Sequence, residues 1–100
     1  MAYTVEKLYI VKTFHKNTDD NIISSSDAIF MDLISAIQAV NENECDLSED
    51  GYNQYVMIGE IETGMYPIVD EILWFIWNRE DKYYGSCLRP AFAEGLAYTL

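Results

Sequence analysis

Glu71-Ile72-Leu73-Trp74-Phe75-Ile76-Trp77-Asn78 sets six large apolar residues in an unbroken row. A half-exposed strand alternates apolar with polar residues, so a row without alternation reads as a strand covered on both faces. The rest of the chain is expected to pack around it. Downstream, Asn78 to Lys82 is a short polar loop leading into Tyr83 to Cys87, which predicts a hairpin. Upstream, Thr63-Gly64-Met65-Tyr66-Pro67 predicts a turn. Before it, Tyr52 to Glu62 predicts a strand with Val56 and Ile58 on one face and Tyr55, Met57 and Ile61 on the other, and Gly59 marks a bulge.

Nearer the N-terminus, Tyr3 to Phe14 carries two alternating apolar sets, Leu8, Ile10 and Phe14 against Val5, Tyr9 and Val11. This predicts another strand, in which Lys7 and Lys12 are tolerated near an edge or an end. His15 to Ser26 reads as a polar connection in which Ile22 and Ile23 dock on the core. Ser25 or Ser26 is then placed to cap a helix, and Asp27 suits the positive end of its dipole. The helix is expected from Asp27 to about Asn43, with Phe30, Leu33, Ile34, Ile37 and Val40 forming the apolar stripe and Asp32, Ser35, Ala39 and Glu42 opposite. Asn41 to Gly51 is a loop with five carboxylates, and near the end Pro90 is placed to open a helical turn that Gly95 closes. The pattern predicts a single α+β domain over residues 1–100, ordered β-α-β-β-β. It consists of a mostly antiparallel sheet of about four strands with the amphipathic helix packed on one face.

Composition agrees with a folded chain. Half of the 100 residues are apolar and 14 % are aromatic, which argues against disorder despite a net charge of -11. Met1 to Ile10 lacks the basic start and apolar run of a secretory signal, and no apolar run approaches the roughly 20 residues of a spanning helix, so a soluble cytoplasmic protein is expected. Cys45 and Cys87 fit neither a disulfide framework nor metal-ligand spacing.

Signatures of chemistry are weak. Asp46-Leu47-Ser48-Glu49-Asp50-Gly51 copies the opening of a calcium loop, but the twelfth position is Met57, which has no oxygen to donate. Asp70 and Glu80 resemble nuclease carboxylates, yet a strand at about 3.3 Å per residue separates them. His15 is the only histidine, and the glycines are too scattered to cradle phosphate. The tyrosines and tryptophans would need a basic groove to stack nucleic-acid bases, and only six lysines and arginines face seventeen acids. No catalytic residue, metal or cofactor is therefore expected, nor direct binding of nucleic acid or membrane.

The distribution of charge is more informative than its sum. Lys7, Lys12 and Lys16 outweigh Glu6 in the first sixteen residues, and Arg79 to Leu100 is balanced. Between Asn17 and Asn78 there is no lysine or arginine and there are thirteen acids. Such a field aids solubility, and it also draws in a basic partner.

Ala36-Ile37-Gln38-Ala39, Tyr55-Val56-Met57-Ile58, Gly64-Met65-Tyr66-Pro67, Trp74-Phe75-Ile76-Trp77, Tyr83-Tyr84 and Arg89-Pro90 together give the chain a look similar to a loose group of short uncharacterised bacterial and phage proteins. These are core and turn residues, so the resemblance implies no activity. In size and acidity the chain also resembles immunity proteins of bacterial toxin systems. The expected function is that of a non-enzymatic inhibitor covering the basic surface of a nucleic-acid-handling protein. Its expected contacts are Glu42, Glu44, Asp46, Glu49, Asp50 and Tyr52, with Asp19 and Asp20. The alternative is an accessory subunit that self-associates through an aromatic sheet face and is acidic only for solubility.

Overall fold

The first strand sets the architecture, because both of its alternating apolar sets need cover. In the structure, a computed structural model that describes residues 7–62 and 69–93, that strand is β1 (Lys7–Lys16). It is followed by β2 (Ile22–Phe30), α1 (Leu33–Asn41), β3 (Tyr55–Glu62), β4 (Asp70–Asn78) and β5 (Tyr83–Cys87). All neighbouring strands pair antiparallel, in the order β2-β1-β3-β4-β5. The α+β class and the α-helix on one face of an antiparallel sheet match the sequence reading, with five strands among the described residues instead of about four. The turn expected at Thr63 to Pro67, the helix end at Gly95 and the strand residues before Lys7 lie outside the described residues.

One face buries Val11, Val56, Ile58, Phe75 and Tyr84 beneath Ala36 and Val40 of α1. The other buries Ile10, Phe14, Met57, Ile61, Val69 and Trp74 beneath Ala93, with Phe92 packed at its margin. The Phe92 ring lies 5.6 Å from Phe14, 5.3 Å from Tyr55 and 5.9 Å from Trp74, a spacing at which tilted rings attract. Glu71 fixes this corner: one of its carboxylate oxygens accepts from the Trp74 indole at 2.9 Å and pairs with the Arg89 guanidinium at 3.1 Å. The faces of β1 and β3 are those the alternation predicts. The Trp-rich strand is covered on both sides only at its middle, at Trp74 and Phe75, while Ile72 is exposed. β1, β3 and β4 lie inside the sheet with neighbours on both edges, and of these β1 and β3 are the most fully buried.

The segment read as a polar connection with helix caps is instead β2, and the helix begins later. Asn17 closes the hairpin: its side-chain oxygen accepts from the amides of Asp19 and Asn21, both at 3.0 Å. As an edge strand whose residues are almost all exposed, β2 needs no apolar alternation, so Ser24, Ser25 and Ser26 fit within it. Phe30 therefore ends a strand and does not belong to a helical stripe. Asp32 is the true N-cap, accepting from the Ser35 amide and hydroxyl, each at 2.8 Å. The nine-residue helix keeps Leu33, Ile37 and Val40 of the expected stripe against the sheet, but its inward side is shifted. Ala36, Ala39 and Val40 are buried, small residues that let the helix backbone approach the sheet, whereas Ile34 is 76 % exposed.

Two bulges punctuate the sheet. Val11 pairs with Ala28 and Lys12 with Ser26, which leaves Asp27 as an extra residue on β2. Ile58 pairs with Leu73 and Gly59 with Glu71, which leaves Ile72 extra on β4. A side chain at Gly59 would overlap a Val69 methyl and crowd the Asp70 carbonyl at 3.3 Å. Gly59→Ala is therefore expected to cost about 1–3 kcal/mol by overpacking, read as a lower urea midpoint at unchanged slope.

Asp32 yields a pH prediction. The Ser35 amide, and then its hydroxyl, hold the Asp32 carboxyl below its ordinary value of 3.8. A lowered folded value means that the cap contributes stability above pH 3.8 and loses it as pH falls through the lower folded value. Asp32→Ala should lower Tm at neutral pH, and the gap to the wild type should close in thermal melts taken below that window.

Candidate acidic binding surface

Strand direction decides where the charges gather. Phe14 pairs with Tyr55 and Tyr55 with Ile76, so β1 and β4 end where β3 begins. The β1–β2 turn, the long connection from α1 to β3 and the β4–β5 turn therefore meet at one end of the sheet. These connections hold Asp19, Asp20, Glu42, Glu44, Asp46, Glu49, Asp50, Glu80 and Asp81 against only Arg79 and Lys82. Carboxylates far apart in the chain thus share one end of the molecule.

The connection from α1 to β3 is cross-braced by its own polar groups. Asn43, Cys45, Asp46, Glu49 and Asp50 all adopt positive φ, a region non-glycine residues enter at a cost. The side chain of Asn43 offsets that cost by accepting from the Ser48 amide at 2.8 Å and donating to the Ser48 hydroxyl at 3.2 Å. The Ser48 hydroxyl donates to Asp46 at 3.3 Å, and the Asn53 amide side chain donates to the Leu47 carbonyl at 2.9 Å. Ser48 and Asn53 are themselves buried. Asp46 is thus employed as an acceptor inside the loop, and no group of three or more His, Cys, Asp or Glu among the described residues is arranged to hold a metal ion.

Between this loop, β2 and α1 lies a cavity of about 230 Å3 with Val11, Phe30 and Ala39 in its wall. Four carboxylates line it, Asp27, Glu44, Asp46 and Glu49, and among the described residues none of them forms a salt bridge. Asp27 reaches it from the β2 bulge, where it accepts from the buried Thr13 hydroxyl at 2.5 Å. Beneath them the Tyr84 hydroxyl donates to the Asn53 carbonyl at 2.5 Å. Burial, and then the charges of Asp27, Asp46 and Glu49, push the Tyr84 phenol far above its ordinary value, so it remains a neutral donor. On the opposite face of β1, burial lowers the pKa of Lys12, whose ammonium donates to Ser26 at 2.8 Å.

The structure divides the residues expected to make the contact. Glu44, Asp46 and Glu49 share the cavity, whereas Asp50 and Tyr52 line a separate groove with Trp77, Arg79 and Lys82, where Asp50 faces two cations. Tyr52 stacks on His15 with ring centres 4.4 Å apart. Glu42 lies just past the helix end and accepts from Gln38 at 3.3 Å. Asp19 and Asp20 sit in the hairpin turn outside the cavity, and Asp20 pairs with Lys16 at 3.2 Å. Asp27, Asn53 and Tyr84 were not among the expected contacts. No local pattern marks them, because only the bulge and the β4–β5 pairing bring them to this place.

The aromatic sheet face of the alternative reading is occupied by its own cluster: Phe14 and Trp74 are buried there beside Phe92. Compared with protein-family models, curated proteins and solved structures, the chain matches none.

Removing the Tyr84 hydroxyl would leave the Asn53 carbonyl without its buried donor. Tyr84→Phe should cost about 1–3 kcal/mol in urea unfolding, and faster amide exchange should appear first across residues 43–53.

Proposed function

We propose that this protein is a non-enzymatic binding protein that covers a basic, nucleic-acid-handling surface of a protein partner. It would act as an inhibitor in the manner of an immunity protein against a toxin nuclease, or of a phage antagonist whose carboxylates stand in for backbone phosphates. The observation that supports this reading is the collection of nine carboxylates in the connections at one end of the sheet. Four carboxylates that form no salt bridge among the described residues surround one apolar-walled cavity, which suits the entry of an arginine or lysine side chain whose aliphatic stem would lie on Val11 and Phe30.

The braced loop favours binding in a second way. Holding the carboxylates in place before the encounter lowers the ordering cost of association. Their mutual repulsion, only partly relieved by Lys16, Arg79 and Lys82 in the free protein, would fall further when a cation arrives, and the same field raises the rate of encounter. No helix among the described residues is long and apolar enough to cross a membrane.

The immobilised protein is expected to retain basic proteins from a low-salt lysate and release them along a salt gradient. Glu44→Gln with Glu49→Gln leaves the Asn43–Ser48–Asn53 hydrogen bonds in place and should weaken retention about three- to tenfold, with earlier elution. Retention of nothing basic, or elution insensitive to salt, would defeat the reading.

A further inference from the structure

We infer that the free edge of β2 is a self-complementary interface through which two copies of this chain join their sheets about a two-fold axis at Ser25. This inference is independent of the proposed basic partner.

β2 ends the sheet, and among the described residues no strand pairs with its outer rim. Natural edge strands are blunted by lysine, proline, inward-pointing charges or bulges. Lysine and proline do not occur in Ile22–Phe30, and the Asp27 bulge, the one such device present, matches itself across a two-fold axis with its charge held by the Thr13 hydroxyl of β1. The rim instead presents Ile22, Ile23 and Ile29, exposed by 36 %, 39 % and 54 %.

The pairing with β1 shows which face each residue occupies. Ile22, Ser24, Ser26 and Ile29 share a face with Lys16, Phe14, Lys12 and Ile10, while Ile23, Ser25 and Ala28 share the helix face with His15, Thr13 and Val11. In a regular strand, residues seven apart such as Ile22 and Ile29 would fall on opposite faces. The extra residue Asp27 brings them to the same one.

That coincidence makes the strand complementary to itself. Joining two antiparallel edges into one sheet requires partners on the same face. With Ser25 on the axis, Ser24 meets Ser26 of the second copy, Ile23 meets Ala28 and Ile22 meets Ile29, and the Asp27 bulge is passed symmetrically on both sides. Three isoleucines from each copy lose water contact, and serines fill the centre.

The arrangement also suits the charge. An antiparallel joining sends the acidic ends of the two copies, each with net charge -11, to opposite ends of the assembly, which limits their repulsion. Salt should therefore strengthen this association, the reverse of its effect on a basic partner.

Sedimentation equilibrium of the full chain should give twice the 11.5 kDa protomer mass, more completely at 0.5 M salt, about the level at which surface charges are screened. Ile22→Glu with Ile29→Glu sets like charges face to face twice and should weaken the dimer at least about tenfold. Ile22→Lys with Ile29→Glu should restore it, since each lysine then faces a glutamate of the second copy. Should the charged variants fail to fold, oxidation decides. In a Cys45→Ser background, Ser25→Cys should cross-link to a dimer, whereas Ser24→Cys, which faces Ser26, should not. A monomer at every concentration and salt, a dimer indifferent to these substitutions, or equal cross-linking at both positions would overturn the inference. Those results would leave the basic-partner reading standing.

Discussion

The structure depends on burying both faces of one sheet within a chain of only 100 residues. A small domain has little interior, so a sheet open to water on one side would forfeit much of its apolar burial. Here α1 closes one face over Val11, Val56 and Ile58, and the segment around Phe92 and Ala93 helps close the other over Phe14, Met57 and Trp74. The Glu71 contacts to Trp74 and Arg89 fasten that second cover. Because β1, β3 and β4 carry both clusters, they are the core, and the edge strand β2 is free to take on another role.

Electrostatics follows from the same arrangement. Antiparallel pairing sends three connections to one end, and these are where the acids are concentrated. The carboxylates cannot enter the core and have few internal cations, so they are displayed together. A loop with five non-glycine residues at positive φ could not hold that display by itself. It is held by Asn43, Ser48 and Asn53, and through Asn53 by the Tyr84 hydroxyl on the last strand. Stability and the acidic array therefore share one set of hydrogen bonds.

Where two protein surfaces could be used, the chain separates them. The acidic end is charged and braced, whereas the β2 rim is almost uncharged and apolar at its extremities. One would suit an opposite charge and the other a second copy of itself, and salt would drive the two proposed associations in opposite directions.

Much of the fold was legible in the residues. Alternation in β1 and β3 assigned their faces, and Gly59 marked its bulge, since period-two patterns register burial directly. β2 was not legible, because an exposed edge strand is free of that pattern and its serines read equally well as caps. The error carried into α1, whose stripe was started too early: Leu33, Ile37 and Val40 do face the sheet, but Ile34 does not and Ala39 is buried instead of opposite. For the candidate site, the acidic character of residues 42–50 and the absence of cations from Asn17 to Asn78 were plain. By itself, then, the sequence determined the α+β class, the faces of the inner strands and the size of the uncompensated charge, all of which depend on local composition and period. Only the tertiary structure decided that Asp27 joins Glu44, Asp46 and Glu49, that Asp50 is set apart beside Arg79 and Lys82, and that Ile22 and Ile29 share a face. These facts depend on one bulge and on strand order, which arise from long-range pairing and leave no local trace.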